Sequence, residues 1–242
     1  MFLKVAKTEV LRFRNESEEQ NDDLDLEFAQ ILYDMFGLKC FLNPSYALRE
    51  HNCIHDAFVD KTSGMQAVDL LLNLASRIKT TELPKHPLKD TIEKVHGIIG
   101  RKKPSDAILR NRDVYRAFLK SHINPVDLYK CLRGEGEIDL TPVPAEHAIL
   151  AAKGWYFLMG QISLSRFRAQ KRIGPTATED LNIAVAFFVQ ALEYSMDDWE
   201  LWFRLAQAYD SKIEEAVSWT AEKLNGDMTE LVTWQRAAIH CY

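Results

Sequence analysis

The sequence predicts an all-α chain in which helical hairpins stack on one another, a segment of an α-solenoid. Two features of its composition favour this fold class. The 242 residues include only 10 glycines and 8 prolines, about 7% where average usage gives roughly 12%, so the tight turns of a sandwich or barrel are scarce. Hydrophobic residues make up 47% and charged residues 27%, which indicates a buried core rather than disorder. Apolar residues also recur three and four positions apart, as on one helical face.

The first hundred residues contain four predicted helices, at about 3–13, 28–36, 62–78 and 88–99. The acidic segment 16–27 between the first two is predicted to be an exposed loop that leads into the N-terminal turn of the second helix, where the helix dipole favours carboxylates. Gly37 is placed to end the second helix in a left-handed conformation. Residues 38–61 lack any periodicity and are predicted to form a long loop. Thr62 or Ser63 is the expected N-cap of the third helix.

Two further helices are predicted before the clearest linker of the chain. They begin after Ser105 and at Asn124-Pro125, and the second ends near Gly134. Glycine, acidic residues and proline dominate residues 135–144. The predicted organisation is therefore an N-terminal helical region over 1–134, a linker over 135–144 and a repeat region over 145–242. The repeat region has predicted helices at 145–168, 181–194, 199–210, 212–224 and 229–242.

The repeat region carries the tetratricopeptide pattern of small and aromatic residues. Trp202, Leu205, Ala206 and Tyr209 stand at offsets of zero, three, four and seven. Small residues let neighbouring helices approach, and aromatic residues fill the grooves beside them. The residues predicted to pack the repeats together are Tyr156, Gly160, Ala184, Phe188, Ala191, Trp202, Leu205, Ala206 and Tyr209.

The repeats are divergent. Ser163 stands where an aromatic residue is usual, and an inserted helix at 212–224 displaces the pair Ala238 and Tyr242. The last repeat is therefore expected to be incomplete, and the chain to be a piece of a longer scaffold.

Two groups of residues outside the repeat pattern are candidates for binding a partner protein or DNA. Arg166, Arg168, Lys171 and Arg172 form a basic cluster at a helix end, although the helix dipole also favours cations there. Trp199 and Trp219 are candidate anchors. The net charge of -5 gives no general attraction to nucleic acid, so DNA contact would need such a local patch.

A metal site is the main alternative that the residues raise. Cys40, His51, Cys53 and His55 are four candidate ligands within sixteen residues, but their spacing lacks the Cys-x-x-Cys and paired-His pattern of structural zinc sites. The sequence also lacks a nucleophile elbow and a phosphate-binding glycine loop. We therefore expect no metal, no cofactor and no catalysis, with a metal-dependent enzyme as the alternative.

Several segments together resemble the fungal histone transcription regulator family. The segments that carry the resemblance are Met1–Val5, Tyr115–Lys120, Asn124–Gly134, Ala151–Gly160, Trp199–Asp210 and Trp234–Tyr242. That family supplies the large tetratricopeptide scaffold of the HIR histone-chaperone complex and is similar to animal cabin. Residues 16–61 match least.

The resemblance implies a nuclear scaffold subunit in replication-independent nucleosome assembly and transcriptional regulation. It implies WD-repeat proteins and other HIR subunits as partners, with core histones reached indirectly, and neither a membrane nor a small-molecule substrate. A generic tetratricopeptide co-chaperone is the other alternative. Its carboxylate clamp requires Lys and Asn, whereas this chain has Phe157, Gln161, Phe203 and Gln207 at the corresponding positions.

Overall fold

The computed structural model describes residues 2–16, 22–40, 48–55, 57–100, 103–135, 138–170, 177–194, 198–218 and 228–242. Every regular element in these ranges is helical, as the sequence predicts. None of these helices combines the length and the apolar character that crossing a membrane requires. The chain divides into two units, Met1–Arg101 and Lys102–Tyr242.

In its described residues, the first unit contains four α-helices: α1 (Phe2–Glu16), α2 (Asp22–Phe36), α3 (Lys61–Ser76) and α4 (Leu88–Ile99), with a short 3-10 helix at Leu83–Lys85. α1 packs on α2, and α3 packs on α4. Phe28, Leu32, Leu71 and Ile92 are completely buried between them. The described part of 38–61, which precedes α3, has no regular structure, in agreement with the predicted loop.

α2 begins earlier than the sequence pattern predicts, so the prediction of a loop over 16–27 is wrong from Asp22 onward. Acidic residues are favourable in the first turn of a helix, and Asp25 has a further role. Its buried carboxylate accepts a hydrogen bond from Asn73 of α3 and lies 2.7 Å from the guanidinium of Arg14 in α1. Asp25, which belongs to the acidic segment predicted to be exposed, therefore connects α1, α2 and α3.

The N-cap of α3 is Asp60 rather than Thr62 or Ser63. The backbone N–H of Ser63 donates to the Asp60 carboxylate at 2.7 Å. A bond from the Ser63 side chain, followed by this backbone bond, lowers the pKa of Asp60. A carboxylate at this position satisfies one of the free N–H groups of the first turn.

The second unit contains seven α-helices in its described residues: α5 (Asp106–Lys120), α6 (Pro125–Leu132), α7 (Ala145–Ala152), α8 (Trp155–Arg168), α9 (Glu179–Leu192), α10 (Trp199–Ser218) and α11 (Thr229–Cys241). α8 pairs with α9, α9 with α10, and α10 with α11. The stacked hairpins of the predicted repeat region are thus present, and α5 packs against α9 and α11.

Two predicted helices of the repeat region have different bounds. The single helix predicted over 145–168 is divided into α7 and α8, because Gly154 adopts a left-handed conformation with φ of 79°. Gly154 can adopt it without the steric cost that a Cβ atom brings. The helices predicted at 199–210 and 212–224 are one continuous helix as far as Ser218. Ser211, at the expected break, donates its hydroxyl to the carbonyl of Gln207 within that helix.

The boundary between the two units differs from the predicted linker. The division lies between Arg101 and Lys102, whereas the sequence pattern places it at 135–144. The difference arises because α5 packs on the repeat helices, a contact that a linker of this composition does not reveal.

Candidate protein-interaction surface on the α10–α11 hairpin

Most of the residues predicted to pack the repeats lie on α8, α9 and the side of α10 that faces them, while Tyr209 is half-buried near Cys241 of α11. Ala184, Phe188, Leu205 and Ala206 are fully buried, and Tyr156 and Ala191 are nearly so. The backbone of α8 at Gly160 lies close to the Phe188 ring of α9. A Cβ atom at Gly160 would stand 2.5 Å from a ring carbon of Phe188. A small residue is therefore required at this position by the aromatic residue of the facing helix.

Trp202, the tryptophan of the repeat pattern, contacts α5, which lies outside the predicted repeat region. Trp202 is half-buried, and its ring centroid lies 5.6 Å from that of Tyr115 and 6.0 Å from that of Phe118, both in α5. The tetratricopeptide pattern places Trp202 in the core of the repeats but gives no sign that α5 covers it.

A polar cluster that the sequence analysis missed holds α5 in place. The Arg112 guanidinium donates to both oxygens of the buried Glu193 carboxylate, at 2.6 and 3.0 Å. The buried Asn111 amide donates to the carbonyls of Glu193 and Thr141 and accepts from the Thr141 N–H. These bonds join α5, the predicted linker and the end of α9. The residues bonded to Asn111 are 30 and 82 positions away in the sequence, so no local sequence pattern predicts these bonds.

One side of the α10–α11 hairpin is open and apolar. Trp199 is 74% exposed, and Phe203 one turn later is also exposed. α11 presents a parallel stripe in which Met228, Ile239 and Tyr242 are exposed. The Phe203 and Tyr242 rings meet edge to face at 6.1 Å, so the two stripes lie side by side. We call this surface the open face; its members are Trp199, Phe203, Val217, Met228, Val232, Ile239 and Tyr242.

Carboxylates accompany the apolar residues of the open face. Asp210 and Glu214 lie on the same side of α10 as Trp199 and Phe203, given 3.6 residues per turn, and Asp210 accepts a hydrogen bond from the Tyr242 hydroxyl. Burial, followed by this bond, raises the pKa of Tyr242 to about 12, so the hydroxyl remains protonated. Glu230, exposed at the start of α11, lies instead on the opposite side of that helix from Ile239, near Lys212.

A polar edge borders the open face on the side of α8. The Arg204 guanidinium donates to the Glu200 carboxylate at 3.0 Å and to the Gln207 side-chain oxygen at 3.2 Å. Arg168, from the predicted basic cluster, reaches the same Gln207 oxygen at 3.5 Å. Arg166 is 3.6 Å from the carboxylate of Asp180.

The structure thus places Arg168 beside Gln207 of α10, about two turns from the exposed Trp199, whereas Arg166 lies against Asp180 of α9. Lys171, Arg172 and Trp219, the other candidate contacts, lie outside the described residues.

Three of the four candidate metal ligands have other contacts, the Cys53 thiol donating to the His51 carbonyl at 3.9 Å, and the fourth, Cys40, is buried. Cys40 is buried, which raises the pKa of its thiol to about 12, and metals bind the thiolate form. The His51 ring is 2.9 Å from the Asp34 carboxylate, and the His55 ring packs on Tyr33 at 4.9 Å. Within the described ranges, no three His, Cys, Asp or Glu residues are grouped as metal ligands.

Comparison with known proteins identifies two matching family models. The HIR3 helical bundle domain matches residues 78–242, and the Histone transcription regulator 3 helical domain matches residues 1–57. Curated relatives described as "Histone transcription regulator 3 homolog" align with the whole chain. The identity is 44% for Aspergillus fumigatus, 41% for Emericella nidulans and 36% for Chaetomium globosum. The chain spans 11 to 12% of the length of these relatives.

Proposed function

Because the chain belongs to the histone transcription regulator 3 family, we propose that it is a scaffold segment of a histone-chaperone complex. In this role it supports replication-independent nucleosome assembly and transcriptional regulation in the nucleus. Its mechanism is to hold other proteins in fixed positions, and it makes or breaks no covalent bond.

The observation that carries this proposal is the open face of the α10–α11 hairpin. Soluble proteins rarely leave a contiguous group of large apolar side chains in water unless another molecule covers it. Tryptophan, tyrosine and arginine are the residues that most often dominate binding energy at protein interfaces. Trp199, Tyr242 and Arg168 supply these residue types at or beside the open face.

The partners that we propose are the other subunits of the HIR complex, including its WD-repeat proteins. Stacked helices give an extended surface on which such partners can be held in a fixed relation. Core histones are reached through these subunits rather than by the chain itself. Contact with DNA has weaker support, since Arg166 pairs with Asp180 and Arg168 contacts Gln207.

The proposal is tested by mixing the purified chain with each HIR subunit and measuring co-elution and affinity. We expect at least one subunit to bind and the double variant Trp199→Ala, Phe203→Ala to bind about thirtyfold more weakly, the loss typical of about 2 kcal/mol at a hot spot. Phe58→Ala is the matched control, because Phe58 is 96% exposed in the first unit.

Two results would contradict the proposal in different ways. If no subunit co-elutes with the wild-type chain, this region has no scaffold role. If the Phe58→Ala control weakens binding as much as the double variant, the open face is not the surface that binds.

A further inference from the structure

We propose that residues 48–55 form a strap that opens without unfolding of the first unit and, when open, uncovers a binding site on α2 for an extended peptide of a partner protein. This inference deepens the proposed scaffold role, on which it rests, by adding a second binding site and a contact that closes it. We call Gln30, Tyr33 and Asp34, which hold the strap, the α2 site. The strap occupies this site in the structure and therefore serves as a guide to the peptide that fits it.

The main chain of the strap is bound by one side chain of α2. The strap has no regular secondary structure. At Arg49 its backbone N–H donates to the Gln30 side-chain oxygen at 2.7 Å, and the Gln30 side-chain nitrogen donates to the Arg49 carbonyl at 2.9 Å. This double bond pattern is that of paired β-strands, by which proteins also bind extended peptides. It does not depend on the side chain at position 49, so a peptide of another sequence can form it.

Two side-chain contacts follow in register along α2. Tyr33 donates its hydroxyl to the Glu50 carboxylate at 2.7 Å, and the Asp34 carboxylate lies 2.9 Å from the ring nitrogen Nδ1 of His51. Residues three and four positions after Gln30 share its face of the helix, so they contact successive residues of the strap. The Asp34 side chain is only 5% exposed, and a buried carboxylate requires a donor or a cation beside it. The peptide class is therefore an extended chain in which a carboxylate precedes an imidazole or cationic side chain.

The strap is attached mainly by polar contacts at the surface. Residues 49–52 are exposed, Leu48 is half-buried and Ile54 is 82% exposed. The rings of His55 and Tyr33 meet at 4.9 Å, and His55 is exposed. Hydrogen bonds in contact with water contribute little net stability, and segments with few buried apolar contacts open locally while the core stays folded. Opening of the strap therefore uncovers the α2 site and leaves the core of the first unit intact.

Hydrogen exchange tests whether the strap opens alone. The Arg49 amide should exchange at least about a hundredfold faster than the amide of Leu32, which is completely buried in α2, and with little dependence on denaturant. Gln30→Ala should accelerate exchange at Arg49 about tenfold and leave exchange at Leu32 within about twofold. Equal rates with equal denaturant dependence at Arg49 and Leu32 would contradict the proposal, because the strap would then open only when the unit unfolds.

A peptide added to the full chain tests the α2 site. The receptor carries Arg49→Pro and His51→Glu, which remove the N–H that Gln30 binds and place a second carboxylate against Asp34, so its own strap is released. The probe is a synthetic peptide of residues 47–56 with Cys53→Ser, and NMR shifts of the α2 backbone amides measure binding. The probe should bind the released chain about tenfold more tightly than the wild-type chain, in which the tethered strap competes at an effective concentration in the millimolar range.

Matched changes identify the contacts that bind the probe. Gln30→Ala in the released chain should weaken binding about tenfold, whereas Glu27→Gln, at an exposed position of the same helix, should change it by less than about twofold. In the probe, N-methylation of the Arg49 amide and the replacement His51→Glu should each weaken binding about tenfold, since each removes one contact with the α2 site. Circular dichroism establishes that all the chain variants are folded.

Equal binding of the probe to the wild-type and released chains, or binding to neither, would overturn the inference. So would binding that Gln30→Ala leaves unchanged, because the peptide would then lie elsewhere. These failures are separable from failure of the scaffold role. Co-elution with a HIR subunit, and its loss in the Trp199→Ala, Phe203→Ala double variant, are measured on chains whose strap is unaltered.

Discussion

At the scale of single residues, Gly160 packs against the Phe188 ring so closely that no room is left for a Cβ atom. Both belong to positions that the tetratricopeptide pattern identifies, and a Cβ atom at Gly160 would lie within 3 Å of three ring carbons of Phe188. The ring is completely buried, so it cannot move aside without disturbing the packing between α8 and α9. The small residue at this position of the repeat pattern is therefore required by the packing of Phe188 against it.

The variant Gly160→Ala should lower the free energy of unfolding of the second unit by about 1–3 kcal/mol, the usual cost of overpacking a core. The measurement is denaturant unfolding followed by tryptophan emission. Gly97→Ala is the control, because no atom lies within 4 Å of a Cβ placed at Gly97 in α4. That variant should stabilise the first unit by about 0.5–1 kcal/mol, as measured by circular dichroism. Equal effects of the two changes would contradict the steric argument.

The sequence predicts such residues better than it predicts polar partners. The spacing of Ala184, Phe188 and Ala191 follows from the helical repeat, so local periodicity is sufficient to find them. Glu193 comes two residues after Ala191 in the sequence, but its burial and its pairing with Arg112 depend on how α5 packs on α9. A charged residue normally predicts exposure, so nothing in the local pattern distinguishes Glu193 from a solvated carboxylate.

At the scale of helices, α5 is held on the repeat region by a buried ion pair as well as by aromatic contacts. A paired, buried carboxylate contributes little net stability compared with an apolar residue, but removal of its partner leaves an uncompensated charge. Glu193 is 3% exposed in this position. Arg112 is therefore the side chain on which the docking of α5 depends most.

Replacement of Arg112 by alanine should destabilise the second unit by about 2–4 kcal/mol, because it leaves the buried Glu193 carboxylate unpaired; the loss is smaller than for a fully buried pair, since Arg112 is 31% exposed. Arg116→Ala, one turn further along α5, should change stability by less than about 0.5 kcal/mol, because Arg116 is an exposed partner of Asp113 at 3.9 Å. Tryptophan emission in a denaturant series measures both. If Glu193→Met added to Arg112→Ala recovers no stability, the unpaired charge is not the cause.

The bounds of the helices show where periodicity is insufficient. An apolar pattern continues from Ala148 to Ile162, so the sequence predicts one helix, and the left-handed conformation of Gly154 divides it. Glycine also occurs inside helices, as Gly160 does, and only the packing of each site separates the two roles. Conversely, Ser211 and Lys212 look like a junction between helices, but nothing in their backbone chemistry prevents α10 from continuing.

At the scale of the whole molecule, the two units have separate hydrophobic cores. All five tryptophans (Trp155, Trp199, Trp202, Trp219 and Trp234) lie in the second unit by sequence. Tryptophan emission therefore reports on that unit without interference from the first. The linker composition of 135–144 suggested a later boundary, because glycine and proline mark where a chain turns but not which helices pack together.

Two truncated chains distinguish the structural boundary from the predicted one. A chain of residues 103–242 keeps α5, and its tryptophan unfolding midpoint should match that of the full chain. A chain of residues 145–242 lacks α5, so Trp202 loses its contacts with Tyr115 and Phe118 and the Glu193 carboxylate loses Arg112. Its free energy of unfolding should fall by at least about 2 kcal/mol, because the apolar contacts of Trp202 with α5 are lost, and the emission should shift to the red. Equal stability of the two truncated chains would instead place the boundary at the linker.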